Sequence, residues 1–137
     1  MVVLLDTNVV LNYMTGREDK YAESCFKIIA LCSQRKLNGI MAFHSVSIIW
    51  YALKLPAEEK RMWLRDICRV LTVVGATHKQ VVEAISRENF RDFEDCLQDE
   101  CACAGQADFI VTCNKKDFQA AKTKALTPDE FLAILKT

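Results

Sequence analysis

The sequence predicts an α/β protein, a single three-layer α/β/α domain built around a mostly parallel sheet of four or five strands. Short apolar runs alternate with amphipathic segments along the whole chain, and no hairpin dipeptide joins two of the runs directly. Strands that alternate with helices need crossover connections, which make the sheet parallel and place helices on both of its faces. The length of 137 residues has room for one compact domain, so we expect residues 1–137 to form it.

The predicted strands are short runs rich in β-branched residues and leucine. The first, Val2–Leu5, is apolar on both faces and is bounded by Asp6, which is typical of a buried central strand. A second strong run, residues 108–112 (DFIVT), has the same character. Further strands are predicted over residues 40–42, 71–74 and 124–126.

The predicted helices carry apolar residues at steps of three and four. Residues 20–34 form the first such segment, and Asn38-Gly39 is expected to close it. Ser45 and Thr77 are predicted N-caps, and Pro128 stands in the first turn of the last helix. Helices are thus expected over residues 20–34, from Ser45 to residue 53, over residues 57–70, after Thr77, over residues 92–105 and from residue 127 onwards.

Composition excludes several classes of protein. Hydrophobic residues make up 51% of the chain, and 18 Lys and Arg balance 18 Asp and Glu, so a polyanionic partner must be met by a local patch. The apolar run at the N-terminus ends at Asp6, too early for a signal peptide or a membrane span, so we expect a cytoplasmic protein without membrane contact. The seven cysteines include no CxxC pair and are expected to be small core residues.

Carboxylates follow or flank the strongest predicted strands. Asp6 ends the first strand and Asp117 follows the DFIVT strand, while Asp92, Asp95 and Asp99 share one face of the preceding helix. In open α/β sheets function collects at the carboxyl ends of the strands. Asp6, Asp95 and Asp117 therefore predict a site for Mg²⁺ or Mn²⁺, hard cations that prefer oxygen ligands. Asp92 and Asp99 are expected to be solvated.

Three segments together resemble the PIN domain, the fold of many metal-dependent ribonucleases, including toxins of bacterial toxin–antitoxin pairs. They are LLDTNVVL at the N-terminus, DFEDC from Asp92, and ADFIVTCNKKDF, which ends at residue 118. The resemblance implies that Asp6 and Asp95 are metal ligands and catalytic, with Asp117 or Asn114 completing the acidic pocket. It also implies that Asn8 and Thr112 orient carboxylates, substrate phosphate or metal-bound water.

One family position is altered. PIN nucleases usually carry a glutamate early in the helix after the second strand, and here the expected position, near Ile48, is apolar. Glu94 and Asp92 are possible substitutes, but the helical phase predicts that Glu94 lies off the face shared by Asp92, Asp95 and Asp99. Two hypotheses therefore stand: a metal-dependent endoribonuclease, and a PIN-like RNA-binding or protein-interaction module whose chemistry has decayed.

The basic residues near the predicted site suggest how RNA, single-stranded or structured, would be held. Lys115 and three further lysines follow the DFIVT strand and are suited to phosphate contacts, with a solvated surface as the alternative. His44 follows a predicted strand and is expected either to contact substrate or to pack locally. The resemblance further implies an antitoxin partner, and the large apolar residues around Trp50 suggest a homodimer surface.

Overall fold

The computed structural model describes residues 1–136, and in them five strands form one parallel sheet. Its order is β3-β2-β1-β4-β5, so the first strand lies at the centre. The predicted α/β class and parallel sheet are confirmed, with five strands and all of them parallel. The strands are β1 (Val2–Leu5), β2 (Asn38–Ala42), β3 (Thr72–Val74), β4 (Phe109–Val111) and β5 (Ala125–Leu126).

Seven α-helices and one 3₁₀ turn connect these strands in residues 1–136. The 3₁₀ turn covers Lys115–Phe118, between β4 and β5. The helices are α1 (Thr7–Thr15), α2 (Ala22–Ser33), α3 (Phe43–Ala52), α4 (Ala57–Val70), α5 (His78–Ile85), α6 (Phe93–Ala104) and α7 (Pro128–Leu135).

The sheet has a hydrophobic core on each face, which gives the predicted three layers. On one face, alternate strand residues such as Leu5 and Met41 pack against buried residues of α1, α2, α3, α4 and α7. On the other face, Leu4 and Ile110 pack against Cys101 and Ala102 of α6. Because successive strand residues point to opposite faces, the β1 run had to be apolar throughout.

Two turn predictions are wrong. Ser45 does not cap a helix, because α3 already begins at Phe43 and the Ser45 hydroxyl lies fully buried, 2.8 Å from the Thr7 hydroxyl. Asn38-Gly39 does not close α2, because both residues belong to β2 and pair with β1. The helix ends at Ser33, and Arg35 takes the left-handed conformation, with φ of 60°.

The helix α1 is an element that the sequence pattern did not predict. Its sequence, TNVVLNYMT, is rich in β-branched and polar residues with modest helix propensity. Asp6 caps it by accepting a hydrogen bond from the Thr7 amide, and burial of the face around Val9 and Val10 stabilises it. Tertiary packing therefore overrides the local preference here.

A buried ion cluster joins three parts of the chain and corrects the prediction for Asp99. Arg87, between α5 and α6, donates to Asp99 and to Glu100 at 2.7 Å each, and both carboxylates are buried. Asp99 also accepts hydrogen bonds from the backbone amides of Lys122 and Thr123. Asp99 is thus not solvated but fixes the segment before β5 onto α6.

The remaining sequence predictions concern cysteines and membranes. All seven cysteines are free thiols; four are buried as expected, whereas Cys68 is exposed. Within residues 1–136 no helix combines the length and the apolar character that a membrane crossing needs.

Candidate metal centre

Asp6 lies where the strand order of the sheet reverses, because β1 is followed by β2 on one side and β4 on the other. The Thr112 hydroxyl, directly after β4, donates to Asp6 Oδ2 at 2.8 Å, and the Thr7 amide donates to Oδ1 at 2.8 Å. Asp6 therefore caps α1 and is only 4% exposed. Crevices at such switch points are the usual ligand sites of parallel α/β sheets.

The first turn of α6 brings two further carboxylates to Asp6. Asp92 caps this helix by accepting from the Glu94 amide at 3.0 Å, which places Glu94 and Asp95 in the first turn. One carboxylate oxygen each of Asp6, Glu94 and Asp95 lies within 4.8 Å of the others. We call these three residues the acidic cluster.

The three carboxylates perturb one another strongly. Burial, reinforced by the charge of Glu94, raises the pKa of Asp6 to about 6, although the bonds from Thr112 and Thr7 oppose the shift. Burial and then the charges of Asp6 and Glu94 raise the pKa of Asp95 to about 7. Like charges this close are unfavourable together unless a proton or a cation neutralises them.

The donor set of the acidic cluster fits a small divalent cation. All three groups are carboxylates, the ligands that Mg²⁺ and Mn²⁺ prefer. Glu94 Oε2 is buried and makes no hydrogen bond in residues 1–136, although His44 Nε2 lies 3.5 Å from it. The ligand roles of Asp6 and Asp95 stay a prediction, with this geometry in its favour.

Two polar side chains border the acidic cluster at Glu94. His44 Nε2 of α3 lies 3.5 Å from Glu94 Oε2. Burial alone would lower the pKa of His44, but its contacts with Cys101 and Glu94 raise it to about 9. Gln98, one turn further along α6, places its Nε2 3.5 Å from Glu94 Oε1.

Gln98 is held by hydroxyls from two other helices. Its Nε2 donates to Ser45 at 2.8 Å and to Thr7 at 3.2 Å, and the residue is fully buried. Its Oε1 has no hydrogen-bond partner in the described residues. The amide therefore joins α1, α3 and α6 immediately behind the acidic cluster.

Asp117 is the predicted site residue that lies outside the acidic cluster. It stands in the 3₁₀ turn, and its amide donates to the Asn114 carbonyl at 3.0 Å. Its charge is one of those that raise the pKa of Asp95. Asp117 lines a separate cavity of about 400 Å³, together with Arg91 and Lys116.

The predicted orienting residues divide between two places. Thr112 bonds Asp6 and also accepts from the Asn114 amide at 3.0 Å, so it orients a carboxylate. Asn8 and Asn114 line a polar cavity of about 320 Å³ that also contains Arg17 and Lys20. Sequence reasoning missed Arg17 and Lys20, because nothing in their local sequence separates them from a solvated loop.

Lys115 is engaged with an acid of the last helix. Its Nζ lies 2.7 Å from Glu130 Oε2. Both side chains are about half exposed, so the ion pair loses little solvation when it forms. The hydrogen bond from Lys115 lowers the pKa of Glu130. To contact a phosphate, Lys115 would therefore have to leave the carboxylate of Glu130.

The prediction that Glu94 points away from the site is wrong. Directions of side chains around a helix differ by about 100° per residue, which separates Glu94 from Asp95 at their Cβ atoms. The longer side chain of Glu94 nevertheless returns to Asp6 and Asp95, held between His44 and Gln98. The proximity of two acids in the sequence was the available signal, and helical phase alone was a poor guide.

A parallel sheet between two layers of helices, with carboxylates at its switch point, defines the protein as an α/β domain with an acidic site. The profile of the PIN domain matches residues 2–116, and the chain belongs to this family. No curated protein is a significant match to the chain.

Solved structures with the same fold are distant in sequence. VapBC-1 from nontypeable Haemophilus influenzae has a TM-score of 0.68 at 17% identity over 94% of this chain and 99% of that one. VapBC2 from Rickettsia felis, bound to a promoter DNA fragment, has a TM-score of 0.67 at 16% identity over 93% of this chain and 98% of that one. FitAcB from Neisseria gonorrhoeae has a TM-score of 0.59 at 15% identity over 92% of this chain and 97% of that one.

Proposed function

We propose that this chain is a Mg²⁺- or Mn²⁺-dependent endoribonuclease and the toxin of a toxin–antitoxin pair in the cytoplasm. Membership of the PIN family supports nuclease activity, since PIN domains are generally nucleases. The observation that carries the proposal is the convergence of Asp6 and Asp95 with Glu94 within 4.8 Å. Three anionic groups at this distance form the kind of site that a divalent cation occupies.

In the proposed reaction the protein holds the cation and the RNA backbone, and a phosphodiester is hydrolysed. A bound divalent cation polarises a phosphoryl oxygen and lowers the pKa of water. Asp6 and Asp95 would hold the cation, and Thr112 keeps the Asp6 carboxylate fixed through its 2.8 Å hydrogen bond. Asp117, which acts on Asp95 through its charge, is proposed as the third catalytic acid.

Contacts with RNA are proposed for the polar surface beside the acidic cluster. Asn8 and Asn114 share a cavity with Arg17 and Lys20, which offers amide donors and two cations to phosphate oxygens. Lys115 would join them by leaving Glu130 for the more highly charged backbone. Since the net charge of the chain is zero, we expect a modest affinity for RNA, and because phosphate contacts would carry it, we expect it to fall steeply with salt.

The test is cleavage of a labelled single-stranded RNA of mixed sequence by the full chain with Mg²⁺, with Mn²⁺ and with a chelator. We expect cleavage with the cations, its loss with the chelator, and its loss in Asp6→Asn and Asp95→Asn. Glu88→Gln, which changes an exposed acid outside the acidic cluster, is the matched control and should cleave normally. Undiminished activity in both aspartate variants would refute the assignment.

A second candidate is favoured by the apolar residue Ile48, near the position in α3 where the resemblance implies an acid. In that case the chain is an RNA-binding or protein-interaction module without hydrolytic activity. The same assay separates the two: RNA that is bound but not cut with any divalent cation supports the module and excludes the nuclease.

The partner is proposed from the relatives, because the VapBC structures named above contain both proteins of a pair. A small basic DNA-binding protein encoded beside this chain would be the antitoxin. We expect co-expression to give a stable complex whose nuclease activity is suppressed. A homodimer is a further expectation, tested on the chain alone by size-exclusion chromatography with light scattering.

A further inference from the structure

The helix α3 reaches the acidic cluster with a histidine where the family brings an acid. Ile48, near the position where the resemblance implies an acid, is apolar and offers no ligand. His44 lies one turn earlier on the same helix and therefore on the same face. Its Nε2 is 3.5 Å from Glu94 Oε2, so α3 places an imidazole against a carboxylate of α6.

Glu94 is held at the acidic cluster from both of its oxygens. His44 faces Oε2, and the buried amide of Gln98 lies 3.5 Å from Oε1. Gln98 is itself fixed by the hydroxyls of Ser45 and Thr7, so it cannot follow Glu94 into solvent. A glutamate on the first turn of a helix would otherwise extend into water, where its charge is better solvated.

A second observation points to a hydrated cation at this place. The Gln98 side chain is fully buried, and its Oε1 has no donor among residues 1–136. Buried amide oxygens are nearly always paired, so an unpaired one indicates a missing donor. Mg²⁺ and Mn²⁺ usually keep several of their waters, and each such water is a donor.

We propose that Glu94 supplies the metal-ligating carboxylate that α3 lacks at Ile48. The inference rests on the proposed function, since it concerns the cation of the same site. It restores the three carboxylates that Asp6, Asp95 and the family acid would give together, with the third one moved from α3 to α6. The His44 contact keeps Glu94 in place while the cation is absent.

The experiment measures Mn²⁺ binding to the full chain by electron paramagnetic resonance and calorimetry, without RNA. We expect Glu94→Gln to weaken binding by at least about tenfold, because even supporting residues of metal sites contribute that much. Glu88→Gln is the matched control and should bind as the wild type does. Circular dichroism of each variant establishes that it is folded.

A rescue variant makes the test specific for the ligand role. Ile48→Glu combined with Glu94→Gln returns the carboxylate to α3, and we expect it to recover most of the lost affinity. Unchanged Mn²⁺ affinity in Glu94→Gln would overturn the proposal, as would equal losses in Glu94→Gln and in the rescue variant.

Failure of this inference is distinguishable from failure of the proposed function. If Asp6→Asn abolishes Mn²⁺ binding while Glu94→Gln does not, the site stands and the role of Glu94 is refuted. If the Mn²⁺ results are as expected but no RNA is cleaved, Glu94 is a ligand and the nuclease proposal is refuted.

Discussion

Replacement of Asp6 by asparagine should make the cation-free protein more stable at pH 8 while abolishing its proposed activity. The pKa of Asp6 is raised from 3.8 to about 6, so its charged form is disfavoured in the folded state. A difference of about 2 in pKa corresponds to about 3 kcal/mol. The pKa of about 6 already includes the opposing hydrogen bonds from Thr112 and Thr7, so this figure is the net cost of the charge in the folded state.

The expected gain is therefore about 3 kcal/mol in the free energy of unfolding at pH 8, and its size depends on pH. Between about pH 4 and 6 the folded wild type binds more protons than the unfolded chain, so its stability falls as pH rises through this window. The variant has no such titration at residue 6. Below about pH 4 Asp6 is protonated in both states, and the gain should vanish.

Urea unfolding followed by tryptophan fluorescence, with a chelator at pH 3.5 and pH 8, measures this difference. Saturating Mn²⁺ should reverse the order, because it stabilises only the protein that binds it. Glu88→Gln serves as the control, with no expected change at either pH. A lower stability of Asp6→Asn than of wild type at pH 8 without cation would refute the electrostatic reasoning.

Three further predictions concern the scaffold. Arg87→Met should destabilise the fold by about 3–5 kcal/mol in urea unfolding, because it removes the guanidinium from two buried carboxylates and leaves Glu100 only the longer 3.5 Å contact with Lys122; an effect under about 1 kcal/mol would contradict this. Gly39→Ala should cost about 1–3 kcal/mol, since an added Cβ would lie 2.5 Å from a leucine methyl and 2.7 Å from a cysteine sulfur. Thr77→Ala removes the capping box of α5 and should lower the melting temperature, at a cost of about 1 kcal/mol, whereas Thr77→Ser should not.

Elements with strong local signals are predicted well from the sequence. The helix over residues 57–70 is predicted to the residue, because Pro56 precedes it and its apolar face is regular. The central strand β1 is predicted to the residue too, since a run that is apolar on both faces suits a buried strand. The capping residue Thr77 is also identified correctly.

The errors arise where distant contacts outweigh local preference. Ser45 has the chemistry of an N-cap, but its hydroxyl bonds Thr7 and Gln98, which are remote in the sequence. The local sequence predicts an exposed Asp99, but in the fold Arg87 packs against it and the carboxylate is buried. Helical phase wrongly excludes Glu94, because that rule describes Cβ directions and not the reach of a long side chain.

The Arg87 cluster has a consequence for the geometry of the pocket. Arg87 clamps α6, which carries Asp95 at its other end, and it also donates to the Ala120 carbonyl, just after the 3₁₀ turn that carries Asp117. Asp95 and Asp117 thus lie on two segments that Arg87 joins, at a place remote from the acidic cluster. A substitution at Arg87 would therefore act on the surroundings of Asp95 and Asp117 from a distance.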